Sequence, residues 1–297
     1  VPALQNKILV IRGGAIGDFI LTLPVLAALR AQFPSTKLEL LGYPHIAQLA
    51  SAGNLVDALH SIEARALASF FARHGQLAAN LAEFFSSFAI IISYLYDPDG
   101  IFQDNIARVS KAQFIAGPHR PDERDGIHAT ETFLQPLRRL AIFDADPVPR
   151  LKANAAKPEP ILVLHPGSGS EKKNWPETKW RELIQELADS RLLLVGGEAE
   201  EGRLERLAEI APCEVARSLP LAELAVRLSA CSLFVGHDSG ISHLAAALDV
   251  PTIVLWGETA EEIWRPRGDH VKILRNLAEM SVESVLNAVR STHPQPH

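Results

Sequence analysis

Cysteine is scarce. The 297 residues carry only Cys213 and Cys231, with neither the pairing pattern of a disulfide framework nor the clustered spacing of a metal site. Both lie at the edges of segments that read as buried strands, so they are expected to be structural thiols. Long apolar runs are also missing. Stretches such as Ala89 to Ile92 and Ile161 to Leu164 fall far short of the roughly 20 residues a membrane-spanning helix needs. The short apolar run from Ile8 to Ile11 leads into a glycine-rich loop, not a small-residue cleavage site, which argues against a secretory signal and for the cytoplasm. The histidines lack the paired spacing of a zinc site. Excess positive charge is absent as well: a net charge of −6 argues against general nucleic-acid binding.

What is present suits a folded α/β protein. Hydrophobic residues make up 47% and charged residues 22%, the balance of an ordinary globular chain, and the length fits two domains. KILVIR at Lys7 to Arg12 reads as a strand, followed by RGGAIG and a helix from Asp18 to about Phe33 that Pro24 should kink. Lys37 to Leu41 reads as a strand. Leu67 to Phe88 keeps helical spacing, Ala89 opens a buried strand, Ala112 to Ala116 is a further strand and His128 to Leu140 a further helix. The phenylalanines near Phe84 are expected to face a core and not a membrane surface.

Four prolines and little periodic hydrophobicity between about Asp144 and Pro160 mark a linker. It divides the chain into domains 1–152 and 153–297. After it, ILVLHPGSGS repeats the strand and glycine-loop opening, followed by a helix near Glu177 to Leu187, a strand at Leu192 to Gly196 and a helix at Ala199 to Ile210. A helix at Leu221 to Ala230, a strand at Ser232 to Val235, a helix at Ser239 to Leu248 and a strand at Thr252 to Trp256 complete the alternation. The fold class is therefore α/β: two Rossmann-like domains with parallel sheets, expected to face each other across a cleft. The last helix, about 281–291, is a candidate to pack back on the N-terminal domain.

Three loops carry the candidate chemistry. In VGHDSGISHLAAA a strand ends at Val235, the turn holds Gly236, His237 and Gly240, and Asp238 or Ser239 caps a helix whose free amides suit a phosphate. His243 lies one turn beyond Ser239. In HPGSGSEKKNWP, Ser168 and Ser170 offer hydroxyls and Lys172 and Lys173 offer cations, without the spacing of a Walker loop. In RGGAIGD, the glycines Gly13, Gly14 and Gly17 miss the first spacing of the dinucleotide fingerprint, which counts against NAD. Asp18 follows as a carboxylate at a helix start, a position most often filled by an N-cap. The pairs Asp97 and Asp99, and Asp144 and Asp146, adjoin proline or glycine and read as turns, not metal ligands.

Taken in order, GDFILTLPVLAAL, HPGSGSEKKNWP, LLVGGEAEE and GHDSGISHLAAALDVPTIVLWGET resemble the bacterial heptosyltransferase family, glycosyltransferase family 9, along nearly the whole chain. The resemblance implies the GT-B fold and inverting transfer from a nucleotide sugar, typically ADP-heptose, to a hydroxyl of the lipopolysaccharide inner core. It implies Asp18 as the base, with Gly13, Gly14 and Gly17 in the acceptor-side loop. Ser168, Lys173, Asp238, Ser239, Gly240 and His243 would hold the donor's phosphates, and Glu200 or Glu201 its ribose. The expected partners are a nucleotide sugar and a glycan or glycolipid acceptor, with a peripheral encounter with the cytoplasmic face of the inner membrane at most. No cofactor, metal ion or nucleic acid is called for. The family's usual Thr-Asp-Pro step is replaced here by ETAEEIWRP, which leaves the nucleotide and sugar open. The alternatives are a transferase or epimerase using a UDP- or GDP-sugar, and a non-catalytic sugar-nucleotide-binding protein.

Overall fold

A computed structural model describes residues 7–153 and 159–292, except the side chains of Ala199 and Glu201. The chain divides into two compact units, Val1–Pro147 and Val148–His297, so the division falls inside the proline-rich segment, five residues before the expected 152/153 boundary.

The first unit runs β1 (Lys7–Arg12), α1 (Ile16–Ile20), α2 (Leu23–Gln32), β2 (Lys37–Gly42), α3 (Pro44–Ala52), β3 (Ala58–Ser61), α4 (Ala79–Ser86), β4 (Ile90–Ser93), α5 (Ile101–Val109), β5 (Gln113–Ala116) and α6 (Ala129–Leu134). Its strands form one parallel sheet in the order β3-β2-β1-β4-β5. The order reverses direction between β1 and β4. In open α/β sheets, ligands bind beyond the carboxyl ends of the two strands that flank such a reversal.

Three stretches expected to be single helices are each divided. The helix after β1 stops at Ile20 and restarts at Leu23, which places Pro24 in the first turn of α2, where its missing amide costs no hydrogen bond. Between Leu67 and Phe88 the chain makes a 3₁₀ turn at Arg65–Phe71 and then α4, because His74 takes a positive φ of 57° and Gly75 packs against the Ser69 carbonyl. After α6 the chain tightens into a 3₁₀ segment at Gln135–Leu140. The phenylalanines behave as core: Phe70, Phe85 and Phe102 are fully buried and pack ring on ring, with centroids 4.9 to 6.3 Å apart.

The second unit runs β6 (Ile161–His165), α7 (Glu177–Glu186), β7 (Arg191–Gly196), α8 (Glu201–Ala208), β8 (Cys213–Arg217), α9 (Leu221–Ser229), β9 (Leu233–His237), α10 (Gly240–Ala247), β10 (Thr252–Leu255), α11 (Glu261–Trp264), β11 (Val271–Leu274) and α12 (Val282–Thr292). Its parallel sheet has the order β11-β10-β9-β6-β7-β8, with the reversal between β6 and β9. The last helix buries Val282, Val285, Leu286 and Val289 in this unit's own core, against α7. Among the described residues no helix is long and apolar enough to cross a membrane.

Candidate functional site

Both strands flanking the second unit's reversal end in the loops that carry the candidate residues. β6 ends at His165 and β9 at His237, and Gly236 lets the two strands lie close: a Cβ there would meet the Phe234 ring at 2.7 Å and the His165 Cβ at 3.2 Å. The loop after β6 turns at Gly169, whose φ of +73° is the left-handed conformation that glycine adopts at little cost. Gly167 lies under the Glu200 side chain, and a Cβ at this position would fall 2.2 Å from Glu200 Cγ. Ser168 Oγ lies 2.9 Å from the Ser170 carbonyl and 2.7 Å from Asn174 Oδ1, so its single hydrogen staples the loop to itself.

The two loops are joined by polar bonds. Lys173 Nζ donates to Asp238 Oδ2 at 2.6 Å, with the lysine side chain 40% exposed and the aspartate 9%. The Trp175 amide donates to His237 Nε2 at 2.8 Å. Nε2 is therefore an acceptor, so a neutral His237 carries its proton on Nδ1, which faces the Gly167 carbonyl at 3.3 Å. Burial holds this imidazole down to about 4, and it holds His165 to about 3, where the neighbouring His237 acts in the same direction. Both rings are neutral structural members of the site.

Ser239 is the N-cap of α10: its hydroxyl accepts from the Ser242 amide at 3.4 Å, while the Ser242 hydroxyl donates to the His237 carbonyl. By helix geometry the amides of Gly240 and Ile241 have no intrahelical acceptor. The start of this helix, with Lys173 bound to Asp238 just before it, has the chemistry to receive an anion. His243 is buried within α10.

Glu200 stands at the head of α8, where its Oε2 accepts from the Gly197 amide at 2.9 Å. The Glu201 side chain lies outside the described residues. One participant was missed from sequence. Arg203 donates to the Pro166 carbonyl at 3.1 Å and to both Glu171 oxygens at 2.9 and 3.0 Å, bracing the loop from beneath. Nothing in the charged stretch EGRLER distinguishes this arginine from a solvated one.

In the first unit, the loop after β1 presents Asp18. It is the third residue of α1 and not its N-cap, which is Ala15. Asp18 Oδ2 accepts from the Ala15 amide at 3.1 Å, and Gly14 makes room for it: its φ is +102°, and a Cβ there would come 3.0 Å from Oδ2. Gly13 faces Leu95 and Tyr43, and Gly17 lies within α1.

Behind Asp18 lies Arg12, a buried guanidinium absent from the sequence reading. It stacks 4.5 Å from the Phe133 ring centroid and donates to the His119 carbonyl at 2.9 Å and the Asp18 carbonyl at 3.2 Å. Its Nη2 is 3.7 Å from Asp18 Oδ1. Burial lowers its proton affinity and Asp18 acts to restore it. Other arginines of this unit are engaged locally, Arg124 with Asp122, Arg120 with Glu123 and Arg139 with the Phe114 carbonyl.

The model of glycosyltransferase family 9 (heptosyltransferase) matches residues 137–289. Lipopolysaccharide heptosyltransferase 1 of Escherichia coli K12 is 37% identical over 141 residues, 45% of this chain and 44% of that relative, so the match spans less than half of the relative's length. Lipopolysaccharide heptosyltransferase 3 of Escherichia coli is 25% identical over 283 residues, 84% of this chain and 83% of its own. Among solved structures, a family 9 glycosyltransferase from Veillonella parvula superposes with a TM-score of 0.79 at 18% identity, covering 96% of both chains. The E. coli heptosyltransferase WaaC with ADP gives 0.75 at 21% identity, covering 96% of this chain and 99% of WaaC. With two parallel sheets, their reversals carrying the candidate loops, and a family model matching more than half its length, the chain belongs to glycosyltransferase family 9, the heptosyltransferase family, and has its GT-B fold.

Proposed function

We propose that the chain transfers heptose, with inversion, from ADP-heptose to a hydroxyl of the lipopolysaccharide inner core. The observation that carries this reading is Lys173, held by Asp238 at the start of the Ser239-capped helix with Glu200 nearby on the same edge of the sheet. Diphosphate would lie against the lysine and the α10 amides, and the Glu200 carboxylate would accept hydrogen bonds from the ribose hydroxyls. The E. coli heptosyltransferase WaaC, of the same fold, has been solved with ADP and with ADP-2-deoxy-2-fluoro heptose, which favours the same donor class.

The second unit is thus assigned to the donor and the first to the acceptor. Asp18 takes the proton of the attacking hydroxyl as its oxygen bonds to the anomeric carbon. The bond from that carbon to the diphosphate oxygen breaks, and its electron pair leaves with ADP. Lys173 and the helix amides meet that developing charge as fixed donors, so the reading calls for no metal ion. Ser168 and Arg203 keep the loop in place. A lipopolysaccharide precursor as acceptor brings the protein to the cytoplasmic face of the inner membrane as a peripheral visitor.

The test is ADP release and product mass with ADP-heptose and a series of truncated, de-acylated core acceptors, with and without EDTA. Release that depends on an acceptor, with addition of one heptose, is expected. Turnover with a UDP- or GDP-sugar and none with ADP-heptose overturns the donor. Tight ADP binding without transfer to any acceptor favours a sugar-nucleotide-binding protein.

A further inference from the structure

The reversal in the first sheet is flanked by two strands, and only the loop after β1, with Asp18, has been given a role. The loop after β4 borders a cavity of about 220 Å³ at the carboxyl ends of β4 and β5. Its walls include Leu95, Tyr96, Gln103, Phe114, Pro118 and His119. Tyr96 is 68% exposed, a large aromatic ring with no core to fill. It is held on one side by the His119 ring, edge to face with centroids 4.6 Å apart.

The charge of the lining narrows the ligand. It contains no lysine or arginine, and its one carboxylate, Asp97, is engaged in capping α5 through the Phe102 and Gln103 amides at 3.1 and 3.0 Å. A phosphate would meet an anion and no cation. A neutral ring with one apolar face and a rim of hydroxyls fits better: the apolar face can lie on Tyr96, while Gln103 and His119 offer hydrogen-bonding groups. The volume suits a single sugar ring and not a nucleotide.

The cavity is also tied to the Asp18 loop at two points. Arg12, which reaches Asp18, donates to the His119 carbonyl, and Leu95 lies against Gly13. We propose that this cavity is a subsite for an uncharged pyranose ring of the acceptor, with Tyr96 as its stacking platform and Arg12 fixing its His119 wall to the loop of the catalytic carboxylate. The subsite rests on the reading of the chain as a glycosyltransferase with its acceptor on this unit.

Two measurements on the full chain test it. In saturation-transfer NMR with methyl α-D-glucopyranoside at tens of millimolar, the ring protons should receive saturation from the wild type and from Lys173→Ala but not from Tyr96→Ala. The methyl glycoside of glucuronic acid should show less. In transfer assays, Tyr96→Ala should raise the acceptor KM by about tenfold or more, leaving kcat and ADP affinity within about twofold, and Tyr96→Phe should behave as wild type. Tyr96 is exposed, so an unchanged thermal transition is expected in both variants. Absent saturation in the wild type, or equal saturation and equal KM in Tyr96→Ala, overturns the subsite while leaving transfer intact. Saturation that depends on Tyr96 in a protein that transfers nothing upholds the sugar site and overturns the transferase reading instead.

Discussion

Lys173 and Asp238 lie 65 positions apart in sequence and meet at 2.6 Å, each at the mouth of one of the two strands that flank the second sheet's reversal. The aspartate is nearly buried and the lysine is not, so the carboxylate serves as an anchor that aims the ammonium. Lys173→Ala should weaken ADP binding about 10- to 100-fold, the range of a lost charge-assisted hydrogen bond, by titration calorimetry. It should also lower unfolding free energy by about 1–2 kcal/mol, because Asp238 is left without its counter-charge while the lysine's exposure limits the pair's worth.

Asp18→Asn keeps an oxygen to accept the Ala15 amide and so should keep α1, while the thermal transition falls modestly because the buried Arg12 loses the carboxylate that faces it. Transfer should nevertheless fall by about 10²- to 10⁴-fold, with ADP affinity unaltered. Turnover near wild type would remove Asp18 as base. Gly14→Ala offers an independent check, since its Cβ would press on Oδ2 from a strained backbone; kcat should drop while ADP still binds.

Glu200→Ala should separate nucleoside from phosphate recognition. ADP affinity is expected to fall about tenfold or more, whereas inorganic pyrophosphate, having no ribose, should bind as to the wild type. An equal loss for both ligands would place Glu200 among the groups that hold the loop and not among those that touch the ribose.

The neutral imidazoles impose a pH dependence. An unfolded chain takes up a proton on each histidine as pH falls below about 6.5, while the folded protein resists until about 4 at His237 and about 3 at His165. The stability they contribute is complete above about pH 6.5 and is lost as pH falls from there through 4, at about 1.4 kcal/mol per pH unit for each ring. Urea unfolding at intervals from pH 7.5 to 4.5 should show that slope. His237→Gln, which keeps an acceptor for the Trp175 amide, should make it shallower; an unchanged slope would mean that the ring is not held neutral.

Much of this arrangement was legible in the sequence because it is local. Strands ending in glycine loops and restarting as helices place Asp18, Ser168, Lys173, Asp238 and Ser239 at the carboxyl edges of their sheets from the sequence pattern alone. What could not be read depends on distant partners. Arg12 looks like the last residue of a strand, and only the Phe133 ring and the His119 carbonyl, more than 100 residues away, make it a buried brace. His237 looks like part of a phosphate turn until the Trp175 amide fixes its tautomer. Periodicity, in turn, sees through interruptions: it joined Arg65–Phe71 to α4, because both segments turn the same apolar face to one core although the backbone between them is not helical.

The reversals that create both sites also set a timetable for folding. β1 reaches β4 by pairing residues as distant as Ile8 and Ile90, and β6 reaches β9 by pairing Leu162 with Leu233. These are closures of long loops, whose entropy must be spent before the strands reward it, and such non-local pairings slow folding. The helices need no such closure. In refolding from denaturant, helical circular dichroism should therefore recover before the capacity to bind ADP, since β6 and β9 must dock before the donor pocket exists.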